Sequence, residues 1–93
     1  MVVMAASAEF RLWQSRSLKE KRQLTQSALR RLPRLIPVQV AEVDAHDDYG
    51  RVVFGLVAVG VDRVALERRL WQAIRWLEQS IGSDAFNTIV AER

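Results

Sequence analysis

The chain has 93 residues, 49% of them apolar and 27% charged, with no cysteine and a formal net charge of +3. That length makes a single domain, residues 1–93. The missing cysteine excludes a disulfide framework and a thiolate metal site, and it predicts a reducing compartment. No apolar run approaches the ~20 residues of a membrane span, and Met1 to Ala6 lacks the basic start of a secretory leader, so a cytoplasmic location is expected.

Residues 2–13 alternate as a strand does. Val2, Met4, Ala6, Ala8, Phe10 and Leu12 share one parity and one side of the pleat, while Glu9, Arg11 and Trp13 fall on the other. Gln14, Ser15 and Arg16 form a polar turn. The first helix starts at Ser17, where Ser17-Leu18-Lys19-Glu20 fits a capping box. Leu24, Ala28, Leu32 and Leu35 make its expected apolar stripe, with Leu18 and Leu29 beside it. Lys19, Gln23, Gln26, Arg30 and Arg34 cluster opposite. Pro33 and Pro37 are expected to end the helix, because proline has no amide and disfavours helix in the residue before it.

Charge is concentrated in this first half. Arg11, Arg16, Lys19, Lys21, Arg22, Arg30, Arg31 and Arg34 face one acid, Glu20, between positions 11 and 34. A basic face of this kind fits an anionic partner, and equally fits a helix that is simply well solvated. Lys21 stands apart from the other cations, because on the helical wheel it falls with Leu24, Ala28 and Leu32. It either snorkels at the helix start or pairs with Glu42 on the sheet as a structural ion pair.

Ile36 to Ala45 and Val52 to Val61 read as a hairpin whose turn, His46-Asp47-Asp48-Tyr49-Gly50-Arg51, is rich in turn formers. Asp62 caps a second helix with Leu66, Leu70, Ala73, Ile74, Leu77 and Ile81 as its stripe and Arg68, Gln72, Arg75 and Gln79 outside. Trp71 and Trp76 flank the stripe. Gly82 is placed for a left-handed helix cap, and Phe86 to Ala91 supplies a last strand. The β-α-β-β-α-β order predicts a ferredoxin-like α/β two-layer sandwich: a four-stranded antiparallel sheet in the order 4-1-3-2 with both helices on one face.

Sequence signals for catalysis are thin. The lone histidine, His46, alternates with Asp44 and Asp48, but turn-forming aspartates explain the same letters, and no metal site or cofactor is expected. No nucleophile and base stand together, and neither a Walker loop nor a dinucleotide fingerprint is present. The third strand, Arg51 to Ala58, offers valines and a glycine on its outer face where an RNA-recognition sheet offers aromatics, which argues against base stacking on the sheet.

Ser17-Leu18-Lys19-Glu20-Lys21-Arg22 resembles the helix-one signature of the bacterial YlxP family. Val40-Ala41-Glu42-Val43, then Asp47, Tyr49, Arg51 and Gly55 to Val59, and later Ile74 to Glu78, are similar to that family's hairpin and second helix. The resemblance spans roughly residues 8–79. It departs in the Trp13 to Arg16 loop, at Asp48 and at Tyr49. The resemblance implies a ferredoxin-like fold, no known catalytic motif, and genes neighbouring those of ribosome-binding factor A and initiation factors, hence a role in small-subunit maturation or RNA binding.

The leading expectation is therefore a non-catalytic RNA- or ribosome-associated protein in which Arg16, Lys19, Arg22, Arg30, Arg31 and Arg34 contact phosphate. The alternative is a self-associating scaffold or protein-interaction module, and a third reading is a small-ligand sensor using the hairpin and sheet edge. An open sheet face carrying Val3, Trp13, Val53, Val57 and Val59 predicts a homodimer or higher oligomer.

Overall fold

A computed structural model describes residues 1–93. Its elements are β1 (Val2–Arg11), α1 (Leu18–Leu35), β2 (Gln39–Asp44), β3 (Arg51–Gly60), α2 (Arg63–Ile81) and β4 (Phe86–Glu92). The strands form one antiparallel sheet in the order β2-β3-β1-β4, the order the crossover rule predicts, read from the other edge. No helix is long and apolar enough to cross a membrane.

The core forms where the two helices meet one sheet face. Met4, Ala6, Ala8, Phe10 and Leu12 from the first strand region and Val52, Phe54, Leu56 and Ala58 from β3 are buried beneath the helices. Phe10 and Phe54 meet edge to face, with ring centroids 5.9 Å apart. From α2, Leu66, Leu70, Ala73, Ile74, Leu77 and Ile81 close over them, as the helical spacing predicts.

Local chemistry sets the helix ends. Ser17 Oγ accepts from the Glu20 amide at 3.1 Å, while the Glu20 carboxylate accepts from the Arg16 amide at 2.7 Å, one residue further back than in the usual reciprocal box. Asp62 Oδ1 accepts from the amides of Val64 and Ala65 at 3.1 and 3.2 Å. Gly82 terminates α2 at φ 84° with its amide on the Glu78 carbonyl at 2.8 Å, a left-handed position that a side chain would strain.

Three expectations are corrected. Pro33 does not end α1 but sits inside its last turn, and the helix runs to Leu35, closing with the Ile36 amide on the Leu32 carbonyl at 3.0 Å. A proline this near the end forfeits one hydrogen bond, and Leu32, fully buried, anchors the turn. Leu35 is not part of the buried stripe: it is 60% exposed. The α1 residues that point into the protein are Lys21, Thr25, Ala28 and Leu32, with Leu24 and Leu29 half-buried beside them. The first strand also ends at Arg11, not Trp13. The Leu12 amide still reaches the Gly50 carbonyl at 2.9 Å, but the Ser15 amide turns back onto the Leu12 carbonyl at 3.1 Å.

Candidate functional site

The outer surface of α1 carries the cations. Lys19, Arg30 and Arg34 recur at helical spacing along its solvent side, a row about 22 Å long at 1.5 Å per residue. Arg16 precedes the helix and Arg22 flanks the row. All five are exposed, and none has a carboxylate within ion-pair distance; the five ion pairs of the protein use Lys21, Arg51 and Arg63 instead. Cations without local partners are available to an external anion.

Arg31 stands apart from this row. Its guanidinium lies 5.1 Å from the centroid of the Trp76 ring, in the seam between the two helices, so it packs α1 against α2 while remaining exposed. The α2 surface adds Arg68 and Arg75, exposed and unpaired, next to Gln72 and Gln79. The wheel placed these four outside, but their joining α1 in one basic layer depends on the two helices lying side by side, which the sequence does not state.

Lys21 is 1% exposed. Its ammonium lies 3.0 Å from Glu42 Oε2, in the geometry of an ion pair rather than a directed hydrogen bond. It also donates to the Asp48 carbonyl at 2.7 Å and to the Ala45 carbonyl. Lys21 thus pins the β2–β3 turn to the first turns of α1, and Ala45, held there at φ 61°, is a left-handed alanine of the kind that persists only under such restraint. Two other acidic side chains here do turn chemistry: Asp44 accepts from the Ala45 amide at 2.7 Å, and Asp48 from the Gly50 amide at 2.9 Å.

The sheet face away from the helices is divided. Val3 pairs with Val59 and Ala5 with Val57 at one end of the β1–β3 ladder, whereas Glu9 pairs with Val53 and Arg11 with Arg51 at the other. Val57 and Val59 are exposed, together with Val43 of β2 and Ile89 of β4. Val43 lies over Gly55, where an added Cβ would come within 2.8 Å of its Cγ1, so the glycine lets this side chain lie down on the sheet. At the far end Glu9 pairs with Arg51 and accepts from the Asn87 side-chain amide at 3.0 Å. The five residues expected to form one contact therefore do not: Val3, Val57 and Val59 cluster, Val53 is half-buried beside Glu9, and Trp13 lies beyond the polar end, because the pleat stops at Arg11. Val3 and Arg11 alone are about 27 Å apart along the strand.

Residues 3–89 match the model of the family described as Protein of unknown function (DUF503). The chain belongs to this family. A relative from Bacillus subtilis (strain 168), "Uncharacterized protein YlxP", is 30% identical over 73 residues, covering 78% of this chain and 79% of that protein. Among solved structures, a de novo designed protein with ferredoxin fold superposes with a TM-score of 0.58 at 8% identity, over 100% of this chain and 84% of the design. A likeness at that identity speaks for the fold alone. The resemblance read from Ser17 to Arg22 is thus a family relationship, and the DUF503 chain has the ferredoxin-like sandwich.

Proposed function

We propose that this DUF503 protein is a non-catalytic, cytoplasmic RNA- or ribosome-associated factor, acting in small-subunit maturation, that holds phosphates on the exposed face of α1. The observation that carries the reading is the unpaired set Arg16, Lys19, Arg22, Arg30 and Arg34 on one surface, with Arg68 exposed on the neighbouring helix. Arg31 contributes charge from the seam. Lysine and arginine contacts to phosphate give affinity that falls steeply with salt and reads little sequence.

The test is binding to ribosomal subunits and to short RNA at several salt concentrations. Arg30→Glu with Arg34→Glu should leave folding within about 0.5 kcal/mol, since both side chains are exposed. Affinity should drop by about tenfold or more, and the slope of log affinity on log salt should shrink by about 1.5–2 as two phosphate contacts are lost. A folded double variant that binds as the wild type does would overturn the reading.

The open sheet favours a second reading, self-association. Val57, Val59, Val43 and Ile89 form an exposed apolar half-face, and a second copy meeting it two-fold would cover it. Light scattering at micromolar concentration should then give a mass above one chain, and Val57→Lys should return it to the monomer. A monomeric wild type throughout the concentration range would remove this reading and leave the α1 surface unaffected.

A further inference from the structure

At the end of the sheet where β1 gives way to the turn before α1, an open groove of about 750 Å³ lies between that turn, the C-terminal turn of α2 and the start of β4. Its walls include Arg11, Trp13, Arg75, Gln79, Asp84 and Phe86. We propose that this groove binds an unpaired base of single-stranded RNA by stacking on Trp13, an inference that rests on the RNA reading above and assigns to it a second, base-contacting site.

Trp13 is 76% exposed, an unusual position for the largest side chain, which ordinarily covers a core edge or an interface. Its neighbour in the groove is the Arg11 guanidinium, 5.9 Å from the Trp13 ring centroid and 5.2 Å from that of Phe86. Arg11 is therefore a planar cation lodged between two aromatic rings, the same combination of stacking and cation–π surfaces that proteins use to hold unpaired bases. The platform is braced. Ser83 Oγ donates to the Arg11 carbonyl at 2.7 Å, and Gln14 Nε2 donates to the Ile81 carbonyl at 2.9 Å, tying the Trp13 turn to the end of α2 on both sides.

The charge of the groove discriminates between ligands. Arg11 and Arg75 are matched by Asp84 and Glu78, and Glu78 is already committed to the Ala85 amide at 2.9 Å. A balanced wall gives no net attraction for a phosphate. It does give donors and acceptors around an aromatic surface, as the polar edge and apolar faces of a base require. Phosphates have their own place close by: Arg16 follows Trp13 by three residues, at most about 11 Å of chain, and opens the α1 cationic surface. A strand could lay its backbone on Arg16 and α1 while turning one base into the groove. This stacking site is at the end of the sheet, and it needs none of the sheet-face aromatics that β3 lacks.

The test compares three fluorescent probes by polarisation: a dodecamer of uridine, a dodecamer of the same ribose-phosphate backbone without bases, and a 12-base-pair RNA duplex. Wild type should bind oligouridylate about 5–150-fold more tightly than the abasic strand, the range of one stacked base. Trp13→Ala should bind oligouridylate as weakly as the abasic strand, with duplex binding unchanged, and Trp13→Phe should recover part of the preference. A thermal melt confirms that the exposed position tolerates the change. If folded Trp13→Ala keeps the full preference for bases, or if wild type shows none while still binding duplex, the groove is not a base site and the RNA reading survives. If wild type binds none of the three probes, both fall.

Discussion

Lys21→Met should destabilise the protein by about 3 kcal/mol, the low end of the range for removing one partner of a buried ion pair. The methionine keeps the apolar stem and removes the ammonium. Glu42 is then left with a carboxylate whose side chain is only 17% exposed, and the Ala45 and Asp48 carbonyls each lose a charged donor. The residual exposure of Glu42 lets water return, which is why the low end applies. A domain of this size has a total stability of about 5–14 kcal/mol, so the melting temperature should fall by roughly 12–24 °C. Lys21→Met with Glu42→Leu should recover part of the loss, because the stranded carboxylate is gone, but not all of it, because the two turn carbonyls stay without their donor. Urea denaturation of the four proteins of this cycle measures the coupling directly. A single variant within 0.5 kcal/mol of wild type would mean that the hairpin turn is held by its own hydrogen bonds and not by α1.

Lys21 also shows how far the sequence could be read. Its wheel position beside Ala28 and Leu32 was enough to set it apart from the solvent-facing cations and to leave a pairing with Glu42 open. Nothing in the letters announced that two turn carbonyls would share the same ammonium, since backbone acceptors carry no sequence signal. The same blindness explains the misplaced stripe of α1. Hydropathy chooses Leu35 as an inward residue, whereas the protein leaves it exposed, turns Lys21 and Thr25 inward beside the half-buried Leu24, and satisfies the lysine from the hairpin. The strand parities of β1 and β3 were legible because a period of two with one buried face leaves a single consistent register. For Trp13 the same parity fails, because the chain turns two residues earlier, at Arg11. Its real neighbourhood, with Arg75 and Asp84 from beyond residue 70, is a meeting of segments that only the folded chain brings together. The phosphate-facing row was legible in part: α1 periodicity gives Lys19, Arg30 and Arg34 a common side, and it gives Arg31 no hint of its Trp76 partner.

Leu70→Ala is expected to cost about 2–5 kcal/mol, through lost transfer energy and the cavity left behind. Leu70 is fully buried at the middle of the α2 stripe, between Leu66 and Ile74 on its own helix, and belongs to the one apolar core that the helices share with the sheet. Leu35→Ala is the matched control: the same deletion at a side chain 60% exposed should stay within about 0.5 kcal/mol. Thermal and urea melts of both variants therefore decide which leucines hold the helices to the sheet. If Leu35→Ala is the costly one, α1 is rotated from the arrangement described, and Lys19, Arg30 and Arg34 no longer share the solvent side. The core measurement thus bears on the functional surface, because the rotation that buries Leu32 and Lys21 is the same one that turns the cationic row outward.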